Sequence, residues 1–197
     1  METIMEKPRI AIIISTTREG RFGPSAAAWI EGLAAQRDDM DFAIVDLRDY
    51  DLPLFDSRTS PMRAPVTNPV ALAWQEAIAG FDGYLFVTAE YNRSITGALK
   101  NALDWTGPQL ARKPAAYLGY GSLGAARAVE HLRQMCVELQ MAPMRFGVHI
   151  AGADANQLLI QRKPFSEVPL PHLEAGAKEL FDELSWWTRA LKVARAA

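Results

Sequence analysis

The chain is short of several things that would point elsewhere. It has one cysteine, Cys136, so no disulfide can form within it. Its three histidines, His131, His149 and His172, do not fall at metal-ligand spacing, and no metal site is expected. No apolar run reaches the roughly 18 residues that span a bilayer, so no membrane partner is expected. No run of Lys or Arg is longer than a pair and the net charge is −2, which gives nucleic acid no basic face. Residues 1–9 (METIMEKPR) lack an apolar core, so no signal peptide is expected and a cytoplasmic location fits. What is present is ordinary for a globular protein. Hydrophobic residues make up 49% and charged residues 22% of 197, enough for one packed core and a single domain over residues 1–197.

Strand and helix patterns alternate along the chain. Residues 9–15 (RIAIIIS) form a near-continuous apolar run, as in a strand buried on both faces. Further strands are expected at 41–47, 83–88, 114–120 and 145–150. Helices are expected at 24–36, 69–79, 95–105, 122–140 and 173–191. Five β–α repeats predict a three-layer α/β sandwich: a five-stranded parallel sheet of flavodoxin-like order 2-1-3-4-5 with helices on both faces. In such sheets ligands bind beyond the carboxyl ends of the strands, near the switch point between strands 1 and 3. Residues 48–68 and 151–171 read as longer surface loops or subunit contacts.

The loop after strand 1, STTREGRFGPS (15–25), offers hydroxyls from Ser15, Thr16, Thr17 and Ser25 and guanidinium groups from Arg18 and Arg21. Gly20 and Gly23 allow backbone N–H groups to turn inward. One reading is a solvated loop with Ser25 as helix cap. The other, favoured by the position in the fold, is an anion site at a helix N-terminus. After strand 3, TAEYNRSITGALKNALDW (88–105) places Glu90, Tyr91 and Asn92 at the switch point, with Ser94 as a helix cap. Its local chemistry leaves two readings: a capped helix start in which Tyr91 merely packs, or a loop that holds the edge of a flat heterocycle.

The third stretch, GYGSLGAARA (119–128), carries Gly119, Gly121 and Gly124 in G-x-G-x-x-G spacing. That fingerprint belongs after the first strand, with an acid at the end of the next. Here it follows strand 4, and the next strand ends Val148-His149-Ile150. A nicotinamide-dinucleotide dehydrogenase is therefore disfavoured.

Taken in order, S-T-x-R-x-G-R, E-Y-N-x-S-x-x-G-A-L-K-N-A-L-D-W and Y-G-x-x-G-x-R-A-x-x-x-L-R resemble the NADPH-dependent FMN reductase family over about residues 8–150, and LPLFD (52–56) resembles that family's loop after strand 2. The family includes azo-dye, quinone and chromate reductases. The resemblance implies bound FMN, with NADPH or NADH as co-substrate and a small-molecule electron acceptor, in a ping-pong reaction. It implies that Ser15, Thr17, Arg18 and Ser25, with Arg21, hold the phosphate. Glu90, Tyr91, Asn92 and Ser94 would flank the ring and ribityl chain, and Gly121, Ser122 and Gly124 its far edge. N–H groups of a helix opening at Ser122 would face the charge that develops on the ring. No side-chain acid or base is required. It also implies a homodimer or homotetramer.

Two departures from the family pattern are expected to matter. Ala89 stands where Pro is usual, and Ala125 where a second Gly is common, the latter expected to narrow access over the ring. A flavodoxin-type electron carrier is the main competing class, but such carriers are strongly acidic. A non-catalytic FMN-binding module is the other. Cys136, His131 and His149 are read as structural, and adjacent Trp186 and Trp187 as unable both to face one core.

Overall fold

A computed structural model describes residues 6–196. Five parallel strands run β2(Asp41–Asp46)-β1(Arg9–Ile14)-β3(Gly83–Ala89)-β4(Pro114–Tyr120)-β5(Ala142–Ile150), the order expected from the β–α pattern. β1 pairs with β2 on one side and β3 on the other, with Ile12 opposite Ile44 and Leu85. Its side chains alternate between two buried layers. Ile10, Ile12 and Ile14 face α1 (Gly23–Ala34) and α6 (Pro171–Ala196); Ala11 and Ile13 face α2 (Pro69–Ala79), α3 (Gly97–Asp104) and α4 (Ala126–Glu138). Burial on both faces is why residues 10–14 contain no polar residue.

Differences from expectation lie at element ends and in one loop. β5 begins three residues early, at Ala142, and α6 continues to Ala196. The segment after β5, expected to be a loop, contains the short helix α5 (Gly152–Ala155), which runs into a π-helical turn, Asn156–Ile160. Of the tryptophan pair, Trp186 is 64% exposed while Trp187 packs against the α1/α6 layer. Cys136 is fully buried, and burial pushes its thiol up to about 12, as suits an inert core residue. No helix among the described residues is long and apolar enough to cross a membrane.

Arg37, just past α1, fastens this layer. It donates to both carboxylate oxygens of Asp39 at 2.8 Å and to Asp182 of α6 at 2.7 Å. The hydrogen bond from Arg37 holds the Asp39 carboxyl down to about 2, against the opposing effect of burial. The folded value lies below the ordinary one, so its contribution is full above about pH 4 and disappears as pH falls toward 2. That contribution is about 2 kcal/mol. Asp39→Asn should therefore lower unfolding free energy by about that much at pH 7 and by little at pH 2, measured by urea titration at both pH values.

Candidate functional site

The carboxyl ends of β1, β3 and β4 carry three loops, and side chains tie them together. In the first loop Ser15 and Thr16 are buried while Thr17 to Gly20 are exposed. Ser15 N donates to Val87 O of β3 at 3.1 Å. Its carbonyl accepts from Thr96 Oγ1 at 2.6 Å, and its own Oγ is buried without a partner among the described residues. Thr16 Oγ1 and Tyr120 Oη, at the end of β4, share a hydrogen bond of 3.2 Å. Burial pushes the Tyr120 phenol up to about 12, which keeps it a neutral donor. Gly23 permits this packing: a Cβ there would lie 2.6 Å from Thr16 Oγ1 and 2.8 Å from Ile14 Cγ2. Arg18 reaches across to the second loop, donating from Nε to Tyr91 Oη at 2.9 Å.

Helix α1 starts at Gly23, two residues before the expected cap, so Ser25 lies in its first turn. The residue in the cap position is Phe22, and no side chain caps the helix or places a carboxylate in that turn. The N-terminus of α1 therefore has neither a side-chain cap nor a carboxylate of its own, as suits an anion site. Arg21 is placed differently. Its guanidinium donates to Asp46 Oδ1 at 2.6 Å, to Asp46 Oδ2, and to Thr16 O. The bond to Asp46 raises the arginine's pKa further, and the pair shapes the loop from below. Asp46 carried no signal in the sequence; it ends β2 and meets Arg21 only through the fold.

In the second loop Tyr91 and Ser94 exchange backbone hydrogen bonds across a tight turn, with Asn92 (φ +50°) and Arg93 (φ +70°) in the left-handed region. Ser94 is not the helix cap. Its Oγ lies 3.0 Å from His131 Nδ1, and Thr96 caps α3 by accepting from Leu99 N at 3.1 Å. Ser and Thr both suit a cap, and the turn at 91–94 consumes the first candidate.

The third loop corrects two expectations. Helix α4 starts at Ala126, not Ser122; residues 121–125 form turns, with Gly121 (φ +137°) and Gly124 (φ +59°) in conformations that favour glycine. The N-terminus of α4 is already occupied. Glu90 Oε2 accepts from Arg127 N at 3.2 Å, and Oε1 accepts from Arg127 Nε at 2.6 Å. These bonds hold the Glu90 carboxyl below the usual carboxylate range. A fixed anion thus sits where free helix N–H groups were expected, and joins the second loop to the third.

Ala125 does not narrow the mouth either. It is 1% exposed in the α2/α3/α4 layer, so its methyl lies in the core. Gly124 packs against protein as well: a Cβ there would meet His149 Cβ at 2.8 Å. Only Gly121 faces open space, with nothing within 4 Å of its missing Cβ. His149 Nδ1 lies 2.7 Å from Gly124 O, so that nitrogen carries the proton.

A cleft of about 300 Å³ lies beside these loops, lined by Thr17, Tyr50, Leu52, Ala98 and Asn101 among others. Its outer wall is the segment after β2, held by Asn101 and Trp105. Asn101 Oδ1 accepts from Phe55 N at 2.9 Å and its Nδ2 donates to Pro53 O at 2.8 Å; Trp105 Nε1 donates to the same carbonyl at 2.8 Å.

The donor set suits a phosphate-bearing flavin. The loop after β1 supplies the exposed Thr17, an Arg18 guanidinium with no carboxylate partner among the described residues, a helix N-terminus with no side-chain cap, and the buried Ser15 hydroxyl that lacks a partner. Gly121 leaves the backbone clear for a flat ring. Comparison with known proteins agrees. The profile of the NADPH-dependent FMN reductase family matches residues 8–155. The chain is 37% identical over 192 residues to a 2-hydroxy-1,4-benzoquinone reductase of a Burkholderia species, covering 94% of this chain and 98% of that one. It is 30% identical over 181 residues to the NAD(P)H-dependent FMN reductase ntnL of a Nectria species, covering 87% and 90%. The flavoenzyme NAD(P)H:(acceptor) oxidoreductase FerB of Paracoccus denitrificans shares the fold, with a TM-score of 0.65 at 22% identity over 93% and 98% of the two chains.

Proposed function

The chain belongs to the NADPH-dependent FMN reductase family, an oxidoreductase using FMN with NAD(P)H as co-substrate, and we propose that its acceptor is a quinone-type molecule reduced by ping-pong turnover. The quinone assignment leans on the benzoquinone reductase relative. The observation that carries the site assignment is the uncapped N-terminus of α1 at the end of a loop whose Arg18 is tied to Tyr91 of the second loop. Thr17, Arg18, Ser25 and the buried Ser15 hydroxyl hold the phosphate. Tyr91, Asn92 and Ser94 flank the ring from the β3 side, and Gly121 with Ser122 from the β4 side. Glu90 touches no ligand in this reading; paired with Arg127, it fixes the distance between those two loops. Arg21 acts likewise through Asp46.

When bound, FMN supplies the two-electron relay between NAD(P)H and the acceptor. The residues bind, orient and partly cover it, and no side chain moves a proton. Donor and acceptor occupy the same open face in turn. One domain carries the whole site, working in the cytoplasm as a homodimer or homotetramer.

Purified protein should be yellow, or become so on adding FMN, and should bleach anaerobically with NADPH and regain colour with benzoquinone. Initial rates at several quinone concentrations should give parallel double-reciprocal lines. Protein that neither carries nor takes up FMN would overturn the reading.

A further inference from the structure

A second cleft, of about 430 Å³, opens on the other side of the β1–α1 loop and shares no lining residue with the first. Gly20, Phe22 and Ser25 line one wall; Arg162, Lys163 and Phe165, after the π-helical turn, line the other. None of its lining residues is acidic. Phe165 stacks between Phe22 (centroids 5.7 Å apart) and Trp29 (5.1 Å), which fixes it in the wall of the cleft with both of its faces covered.

Two arginines at the loops, Arg21 and Arg127, are each paired with a carboxylate, while Arg18 has none among the described residues. Among the described residues the Arg162 side chain has no hydrogen-bond or ion-pair partner, and Lys163 Nζ has only the neutral Gln157 Oε1 at 3.3 Å. Arg162 also sits at φ +56°, where the turn ends with Lys163 N donating to Gln157 O. That position favours glycine. An arginine held there, at a cleft without a carboxylate, suits a phosphate.

We propose that this cleft binds the 2′-phosphate of NADPH, with Arg162 and Lys163 as its donors, and so gives the enzyme its preference for NADPH over NADH. The proposal rests on the NAD(P)H-dependent reading above. The cleft adjoins the FMN phosphate loop and shares Ser25 with it, so a dinucleotide whose nicotinamide end reaches the flavin site can place its far end here.

The test uses the FMN-loaded enzyme. Arg162→Gly removes the guanidinium while placing the residue best suited to that backbone; Lys163→Gln removes the second charge. The double variant should raise the KM for NADPH about tenfold or more, the usual effect of losing charge-assisted phosphate contacts. The KM for NADH, kcat and FMN content should stay within about twofold. Calorimetry with 2′-AMP should show binding to wild type, weakened in the variant, with 5′-AMP much weaker on both. An unchanged NADPH KM, or an equal rise for NADH, overturns the proposal. Loss of FMN from the variant also overturns it, since the cleft then serves the flavin's phosphate. A wild-type protein inactive with either nucleotide refutes the functional reading, while 2′-AMP binding still decides this one.

Discussion

Replacing Arg127 by alanine is expected to lower the unfolding free energy by about 2 kcal/mol and to weaken FMN binding about tenfold. The Glu90 side chain is only 10% exposed, and Arg127 supplies both its side-chain donor and one of its helix N–H donors. Alanine keeps the N–H but leaves the carboxylate without its counter-ion. Breaking a buried pair costs more than this, but Arg127 is 38% exposed and water would partly replace it. The second effect is geometric. The pair spans the β3 and β4 loops, so its loss lets them separate at the flavin site. Thermal unfolding and a fluorescence titration of apoprotein with FMN measure the two effects separately. Arg127→Lys should recover part of the stability but less of the affinity, because an ammonium cannot copy the planar contact. Unchanged FMN affinity in Arg127→Ala would show that the loops are held together by other means.

Asn101→Ala is expected to cost about 2–3 kcal/mol and to loosen the segment after β2. The amide closes contacts to Phe55 N, Pro53 O and Leu52 O, three backbone groups of a stretch with little regular structure of its own. Removing it leaves these groups to water or to nothing. Limited proteolysis should then cut between residues 50 and 65 in the variant well before wild type, and the KM for substrates that enter beside Leu52 should rise. Asn101→Asp should behave no better, because a carboxylate serves Phe55 N but repels the two carbonyls. Equal protease resistance would mean that the hydrogen bond from Trp105 to Pro53 suffices alone.

The sheet was readable because its central strands obey one strong rule. A strand covered on both sides must be apolar throughout, and residues 10–14, 84–87 and 115–118 contain little else. Helix starts were less readable because their caps are settled by tertiary partners. Ser94 is as good a cap as Thr96 until His131 and the 91–94 turn engage it. The N-terminus of α4 is satisfied by Glu90, 37 residues earlier, which no local window can reveal. The glycine motif misled for a similar reason. Gly119 and Gly124 are required by protein packing, since a Cβ on Gly119 would lie 2.3 Å from Gly124 O, and only Gly121 leaves room for a ligand. Arg21 looked like a phosphate ligand because nothing near it in sequence suggested Asp46.

The three ties between loops, from Thr96 to Ser15, Thr16 to Tyr120 and Arg18 to Tyr91, are made by the chain's own side chains. Preorganisation of this kind moves the ordering cost from cofactor binding to folding. The apoprotein then presents a finished receptor. Cofactor uptake should then be a docking event, with a heat-capacity change no larger than burial of the flavin itself gives.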